Sequence, residues 1–281
     1  MLDARLRMRD IRLTMKSNNA LPPVALTIAG SDNSAGAGAQ ADLKTFTALG
    51  VYGLTAITCV VAEVPGKVSA IQPVESRIVR EQILLSLAAY PVTAVKTGML
   101  FSREIIDAVC DVLEKNPLPL VVDPVMVATS GDALLKSDAV AAYTERLFKH
   151  ASLVTPNLAE VSALCGRTID SLARMREAGC ELVEKFGVPF LLKGGHLRSG
   201  EATDLLFSEG KIHEFSAPFV PGVNTHGTGC TYSAAITAGL ARGLVLTDAV
   251  AEAKQFVARA ISGFFRWQRG SETTDALNHF L

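Results

Sequence analysis

The chain has 281 residues, and its 27 Lys and Arg nearly balance its 28 Asp and Glu. Half of the residues are hydrophobic and the mean hydropathy is +0.29, which excludes a disordered polar chain. The balanced charge favours neither nucleic acid nor an anionic membrane as a partner. Apolar runs stay far below the roughly 18 residues of a membrane span. The five cysteines are scattered without a C-x-x-C pair, so we expect a cytoplasmic protein.

Residues 1–21 predict a disordered N-terminal extension, followed by one domain over residues 22–281. The extension is basic but lacks the apolar run of a secretory signal. Two alternatives stay open for it. One is an Arg-rich organellar presequence, which Asp3 and Asp10 disfavour, and the other is a start of translation at Met15.

Short apolar strands alternate with amphipathic helices throughout the domain. The pattern predicts strands at residues 24–29, 54–62, 67–74, 94–97, 120–122, 153–155 and 190–193, and a hairpin of 203–207 with 212–215. It predicts helices at residues 39–49, 75–90, 171–186, 230–242 and 247–265, and one that Ser102 caps. This alternation is typical of an α/β fold in which helices cover both faces of a mostly parallel sheet.

Polar and glycine-rich segments follow several of these strands, where ligands bind in such folds. They begin at Gly30, Lys96, Asp123, Thr155 and Lys193. Their recurrence at one kind of position predicts a ligand site at the carboxyl edge of the sheet.

Residues 224–231 read NTHGTGCT and run directly into an Ala-rich helix. Two glycines let backbone N–H groups converge, and the helix start adds positive charge, which suits phosphate. The same field is expected to lower the pKa of the Cys230 thiol, a candidate base, while His226 orients the loop. The alternative is a turn that only caps a helix, with Cys230 merely packed.

Residues 36–41 match the dinucleotide fingerprint G-x-G-x-x-[GA] loosely. The acidic residue expected about 20 positions later is missing, since Glu63 lies 25 residues beyond Gly38. This segment therefore favours a loop that closes on a small substrate over a nicotinamide site.

Asp123, Asn157 and Glu160 form a candidate Mg²⁺ and phosphate site, because Mg²⁺ prefers one or two carboxylates together with substrate phosphates. A helix-capping role explains Asn157 and Glu160 equally well. Lys193, and less clearly Lys96, either reach a nucleotide phosphate or are solvated strand-end lysines. The Walker, protein-kinase and G-x-S-x-G signatures do not occur in the sequence.

The stretch ALTIAGSD…AGAGAQADLKTFTALGVYGLTAIT (residues 25–58) resembles the hydroxymethylpyrimidine/phosphomethylpyrimidine kinases of thiamine biosynthesis, within the ribokinase-like superfamily. Collinear matches follow at VKTGML (95–100), VVDPVM (121–126), SGD.LL (130–135), TPNLAE (155–160), LLKGGHL (191–197) and NTHGTGCT (224–231). The resemblance implies a three-layer fold, a homodimer, and ATP- and Mg²⁺-dependent phosphorylation of the aminopyrimidine alcohol and then of its monophosphate.

Carried over by position, the resemblance implies a role for each motif residue. The pyrimidine pocket is lined by Gly30, Ala37, Val61, Glu63 and Met99. The nucleotide, its phosphates and Mg²⁺ are held by Asp123, Asn157, Glu160, Lys193 and Thr228. Gly227, Thr228 and Gly229 form the anion hole, and Cys230 takes the catalytic position that Asp occupies in sugar kinases.

One departure from the family pattern concerns the pocket. The bifunctional enzymes read V-A-Q where this chain reads Val61-Ala62-Glu63, and Val64-Pro65-Gly66 also departs from their usual run. An ionised Glu only accepts hydrogen bonds, whereas Gln also donates. A phosphomonoester, with a second pKa of about 6, needs no base, unlike an alcohol. We therefore expect the monophosphate kinase activity to be retained and the alcohol kinase activity to be reduced.

Three other functions stay open at this point. The nearest is a pyridoxal or pyridoxine kinase, whose vitamin ring is similar. A non-catalytic pyrimidine-binding regulator and a dehydrogenase are the others.

Overall fold

The computed structural model describes residues 21–126, 137–195, 197 and 200–280. The predicted extension, apart from Leu21, lies outside these ranges. So do the SGD.LL motif at 130–135 and His196 of the LLKGGHL motif. Within the described ranges, no helix combines the length and the apolar character that crossing a bilayer requires.

A central sheet of nine strands carries the fold. In chain order the strands are β1 (Val24–Asp32), β2 (Tyr52–Val64), β3 (Lys67–Pro73), β4 (Val92–Thr97), β5 (Leu120–Val122), β6 (Leu153–Val154), β7 (Phe190–Lys193), β8 (Glu201–Ser208) and β9 (Lys211–Pro218). Across the sheet the order is β3-β2-β1-β4-β5-β6-β7-β8-β9. Six neighbouring strands, β2, β1, β4, β5, β6 and β7, pair in parallel. At the edges, β3 pairs antiparallel with β2, β8 with β7, and β9 with β8. The order reverses between β1 and β4, which marks the usual ligand crevice of such sheets.

Helices lie on both faces of this sheet. They are α1 (Gly38–Ala48), α2 (Ser76–Ala89), α3 (Arg103–Leu113), α4 (Ser137–Ala142), α5 (Leu158–Cys165), α6 (Leu172–Phe186), α7 (Thr228–Ala241) and α8 (Leu246–Ser262). A π-helical turn at Tyr143–Leu147 and a 3₁₀ turn at Phe148–His150 follow α4. A separate hairpin pairs β10 (Phe265–Arg269) with β11 (Glu272–Ala276).

The core consists of two apolar layers, one on each face of the sheet. Leu26 of β1 packs with side chains of α2 and α3, whereas its neighbour Ala25 packs with those of α1 and α7. Successive residues of a strand point to opposite faces, so strands buried on both sides read as continuous apolar runs. The predicted three-layer arrangement is confirmed.

The predicted strands and helices are confirmed, and their observed ends differ from the predicted ends by at most three residues. The hairpin of β8 and β9 turns at Glu209 and Gly210, whose φ angles of 52° and 70° suit a two-residue hairpin turn. Ser102 caps α3 as predicted, since its side chain accepts a hydrogen bond from the Ile105 N–H.

Two predicted helix boundaries are wrong in ways that bear on the site. Helix α7 begins at Thr228 rather than Cys230, so Gly227 is its N-cap. Helix α8 ends at Ser262, three residues before the predicted end, although Phe264 continues its apolar stripe. The chain turns at Gly263 into β10, and the hairpin of β10 and β11 was not predicted.

Candidate active site

The glycine-rich and polar strand ends meet at one edge of the sheet, as the sequence predicts. The loop after β1 contacts the turn before α7 so closely that a Cβ on Gly227 would lie 1.7 Å from the Gly36 carbonyl oxygen. The ends of β5 and β7 meet through Asp123 and Lys193. The carboxyl edge therefore brings together the two predicted halves of the site, the acceptor loop and the phosphate turn.

Asp123 directly follows β5, and its buried carboxylate accepts from several donors. Lys193 Nζ lies 2.8 Å from its Oδ1, and the Ser233 hydroxyl donates to Oδ2 at 3.2 Å. Burial raises the pKa of Asp123, but Lys193 and Lys96 outweigh it and hold that pKa below its usual range. The Lys193 side chain is only 13% exposed, so the solvated strand-end interpretation of Lys193 is wrong. The pair places an anion and a cation side by side at the site.

Asn157 and Glu160 form a reciprocal cap at the start of α5. Asn157 Oδ1 accepts from the Glu160 N–H at 3.0 Å, and Glu160 Oε2 accepts from the Asn157 N–H at 2.8 Å. Glu160 is buried, and burial raises its pKa to about 8, although Lys193 opposes that shift. The capping interpretation of Asn157 and Glu160 is therefore confirmed. The negative charge of nearby Asp123 also raises the pKa of Glu160.

Asp123 and Glu160 fit Mg²⁺ as a partial ligand set. No group of three or more His, Cys, Asp or Glu among the described residues is arranged to hold a metal. Mg²⁺ usually takes one or two carboxylates and completes its shell with phosphate oxygens and water. Two buried carboxyl groups beside a phosphate turn are compatible with a metal that arrives together with a nucleotide.

The turn before α7 is the predicted anion hole. Gly227 adopts a φ of +81°, which only glycine takes without strain, as N-cap of α7. The first N–H groups of a helix have no partner within it, and here the Thr228 N–H donates instead to the Thr225 carbonyl at 3.1 Å. A Cβ on Gly229 would lie 3.2 Å from Lys193 Nζ, which puts the ammonium group beside the turn. Among the described residues, the buried Thr228 hydroxyl has no hydrogen-bond partner. Lys193 Nζ and the Thr228 hydroxyl are thus two side-chain donors at this turn.

Cys230 lies in the first turn of α7, but its predicted acidity is wrong. Burial raises the pKa of its thiol to about 11, which outweighs the opposing charge of Lys96 and a backbone hydrogen bond from Gly38. The helix start does not compensate for loss of solvent. In the free protein Cys230 is therefore a protonated thiol at neutral pH.

Lys96 fits neither of its predicted roles. It is fully buried, and its Nζ lies 2.7 and 2.8 Å from the two oxygens of Asp42. The Thr27 hydroxyl donates to the same carboxylate at 2.6 Å. Lys96 is thus neither solvated at a strand end nor free to contact a phosphate.

The predicted pocket residues gather around the end of β1. A Cβ on Gly30 would lie 3.9 Å from the Val61 side chain, which places β1 directly against β2. The Met99 carbonyl accepts a hydrogen bond from Thr58 at 2.7 Å, which fixes the turn after β4 to the same strand. Glu63 ends this row on β2, at a register shift in the pairing with β3. Such irregularities redirect side chains next to active sites.

Asp32 organises the loop that carries Ala37. Its carboxylate accepts from the Ala37 N–H at 2.8 Å and from Ser34, and His226 Nε2 lies 3.4 Å away. Burial raises the pKa of Asp32, but these hydrogen bonds outweigh it and lower the pKa to about 2. Asn33 then accepts from the Glu63 N–H at 2.7 Å. His226 therefore joins the two loops, in agreement with its predicted role.

Sequence reasoning missed four residues around the site: Asp42, Arg266, Asp275 and His279. A polar residue on the buried face of α1 is the signal that would have found Asp42. The other three lie near the C-terminus, outside any motif, and contact the site through long-range hydrogen bonds.

Comparisons with known proteins identify the family. The sequence model described as phosphomethylpyrimidine kinase matches residues 32–275. The chain belongs to this family. It is 47% identical over 260 residues to the hydroxymethylpyrimidine/phosphomethylpyrimidine kinase of Rhizobium meliloti (strain 1021), across 92% of this chain and 97% of that protein. The family resemblance stated from the motifs is confirmed, and the chain is a phosphotransferase.

Solved structures give the same result for the fold. The phosphomethylpyrimidine kinase of Clostridium difficile 630 is 40% identical with a TM-score of 0.75, across 85% of this chain and 99% of that one. Pyridoxal kinase from Staphylococcus aureus in complex with AMP-PCP and pyridoxal is 35% identical with a TM-score of 0.83, across 93% and 94% of the two chains. The chain therefore has the same ribokinase-like fold as these two kinases.

Proposed function

We propose that the protein transfers the γ-phosphoryl group of ATP to 4-amino-5-hydroxymethyl-2-methylpyrimidine phosphate, which gives the diphosphate used in thiamine biosynthesis. The observation that carries this proposal is the contact between the turn at Gly227 and the loop at Gly36. That contact supports the proposal because it brings the turn to which we assign phosphate binding against the loop to which we assign the acceptor. The names of the relatives support the same acceptor class.

ATP as the donor is supported by the pyridoxal kinase neighbour, which binds AMP-PCP. Asn157, Lys193 and Thr228 would contact the nucleotide, and Asp123 and Glu160 would hold Mg²⁺. Mg²⁺ neutralises charge on the phosphate oxygens when it is bound. The unpartnered hydroxyl of Thr228 supports a phosphate contact at this point.

In the proposed step, an oxygen of the acceptor phosphate forms a bond to the γ-phosphorus. The bond between that phosphorus and the β–γ bridging oxygen breaks, and ADP leaves. Backbone N–H groups of Gly227 and Gly229 and the unpartnered hydroxyl of Thr228 would stabilise the charge on the transferring group, and Lys193 would contribute a fixed positive charge beside them. Because these donors belong to the folded turn, they need no reorganisation during the step.

The state of Cys230 favours the monophosphate as acceptor. An alcohol must lose a proton during transfer, and a thiol with a pKa of about 11 is protonated at neutral pH, so it must lose its own proton before it can accept that of the alcohol. A phosphomonoester is largely ionised at neutral pH, since its second pKa is about 6. The monophosphate therefore needs Cys230 less than the free alcohol does.

Glu63 is the second reason for this preference. Burial and the nearby charge of Asp32 raise the pKa of its carboxyl group, although His226 opposes the shift. An ionised Glu63 accepts from the exocyclic amine but cannot donate to a ring nitrogen, and only the protonated form that this shift favours could donate. A pocket altered in this way penalises the first phosphorylation, which depends on exact placement of a neutral hydroxymethyl group, more than the second.

We further infer that residues 22–281 act as one kinase domain, because β1 to β9 share one sheet. The homodimer and the cytoplasmic location remain predictions.

The test is ADP release measured with the aminopyrimidine alcohol, its monophosphate and pyridoxal side by side. We expect kcat/KM for the monophosphate to exceed that for the alcohol by about tenfold or more, which is within the range that loss of base catalysis produces. Equal values on the two pyrimidines would contradict the acceptor assignment. Faster turnover of pyridoxal would favour a pyridoxal kinase, and nucleotide binding without ADP release from any acceptor would favour a regulator.

The variant Glu63→Gln connects this preference to its cause. It is expected to raise the ratio of alcohol to monophosphate turnover, because the amide both donates and accepts. Glu177→Gln, an exposed substitution on α6, is the matched control and should leave the ratio unchanged. An unchanged ratio in Glu63→Gln would remove Glu63 as the specificity residue.

A further inference from the structure

The C-terminal segment, residues 264–280, contacts the phosphate turn from outside the sheet. Arg266 of β10 pairs with Asp275 of β11, with Nε to Oδ1 at 2.6 Å and Nη2 to Oδ2 at 2.8 Å. The same guanidinium donates to the Gly222 carbonyl at 2.6 Å, and Asp275 Oδ2 accepts from the Asn224 N–H at 2.9 Å. The hairpin thus holds both residues 222 and 224, at the entry to the turn.

This contact continues into the site through a short chain of hydrogen bonds. The Asn224 side chain accepts from the His226 N–H at 3.0 Å. His226 Nε2 in turn lies 3.4 Å from Asp32, which fixes the acceptor loop. Gly227 follows directly. Asp275 therefore holds, through Asn224 and His226, the backbone that leads into the proposed anion hole.

A second anchor joins the segment to α7 itself. His279 Nε2 lies 3.0 Å from the Thr231 hydroxyl, one residue beyond Cys230. Burial and the charge of Lys44 lower the pKa of His279 to about 4, so its ring is neutral at pH 7. The Asn278 N–H donates to the Ala260 carbonyl at 3.0 Å, which ties the tail to α8.

Stability alone gives a weak account of this arrangement. Asp275 is 5% exposed and the Arg266 side chain is 43% exposed, so the bidentate pair contributes to folding, but that contribution does not explain why Asp275 also accepts from the Asn224 N–H at the entry to the turn. The carboxylate is directed at the backbone of the turn rather than at the core. Small displacements of groups that position a reacting centre have much larger effects on rate than on folding.

We propose that Asp275, with Arg266 as its partner and His279 as a second anchor, is a positioning residue that holds the phosphate turn in its working geometry. The inference rests on the proposed function, because it assigns the turn to phosphoryl transfer. Asp275 acts through Asn224 and His226 and does not itself touch substrate.

The experiment compares Asp275→Ala with Arg242→Ala in the full-length protein. The control breaks the Arg242–Glu252 ion pair, which lies at the opposite end of α7. We expect Asp275→Ala to lower kcat for the preferred acceptor by about tenfold, while the control keeps wild-type kcat. The melting temperatures of the two variants should agree within about 3 °C.

Further variants separate positioning from folding. The double variant of Arg266→Ala with Asp275→Ala should be no slower than Asp275→Ala alone, because both residues act as one unit. Asp275→Asn keeps an oxygen for the Asn224 N–H and should recover most of kcat. If Asp275→Ala does not fold, His279→Leu is compared with Arg242→Ala in its place. His279→Leu should lower kcat in the same direction.

The proposal is overturned if Asp275→Ala keeps the kcat of Arg242→Ala. It is also overturned if kcat falls only in proportion to the folded fraction seen by circular dichroism. Calorimetric binding of AMP-PCP, which needs no acceptor, is expected to weaken in Asp275→Ala. If the wild-type protein turns over pyridoxal instead of the pyrimidine, the same comparison is made with pyridoxal, so that the proposed function fails while the positioning role is still decided.

Discussion

Gly227→Ala is expected to lower kcat/KM for phosphoryl transfer by about 10²-fold or more, the cost of displacing the donors of an anion hole. The new Cβ would lie 1.7 Å from the Gly36 carbonyl oxygen, so the phosphate turn and the acceptor loop must separate. The residue would also be strained at a φ of +81°. Steady-state kinetics with ATP and the monophosphate measure the effect.

Gly243→Ala is the matched control for this prediction. Gly243 has a φ of +85°, but a Cβ there meets nothing within 4 Å. It carries the same backbone strain, worth about 1 kcal/mol, without the clash. Gly243→Ala should therefore keep nearly full activity. Equal activities of the two variants would show that close approach of the two loops is not required.

Cys230→Ala is expected to reduce phosphorylation of the aminopyrimidine alcohol by at most about 10²-fold, the low end of what a positioned base contributes, because the thiol is protonated in the free protein and must first ionise. Phosphorylation of the monophosphate should fall by much less, because that acceptor is already largely ionised at neutral pH. Backbone N–H groups of the turn survive the substitution. The measurement is kcat/KM on both acceptors for wild type and variant.

Cys180→Ala serves as the control, since that cysteine is exposed on α6. It should leave both rates unchanged. A larger loss on the monophosphate than on the alcohol would rule out Cys230 as the group that receives the acceptor proton.

The layers of the fold were predictable because parallel strands covered on both faces are continuously apolar, whereas the helices between them are amphipathic. The hairpin of β10 and β11 was not predictable by that rule. It is largely exposed and lacks the alternation of a half-buried strand, and Arg266 and Asp275 hold it together. The apolar stripe of α8 also continues to Phe264, so the sequence pattern does not show that the helix ends at Ser262.

The meeting of the motifs at one edge of the sheet was predictable, but the chemical state of their residues was not. Motifs at strand ends correctly brought Asp123 next to Lys193. Lys96 pairs with Asp42, 54 positions earlier, and no local pattern shows that pairing. The pKa of Cys230 depends on burial, which outweighs the helix start, and burial at one position cannot be calculated from neighbouring residues.

The central claim is that the turn before α7 binds the transferring phosphoryl group. A crystal structure of the protein with AMP-PCP and Mg²⁺ tests it most directly. The account predicts that γ-phosphate oxygens lie within about 3.2 Å of N–H groups in the turn at 227–230, with Lys193 Nζ beside them. A triphosphate that lies elsewhere, out of reach of these N–H groups, would contradict it.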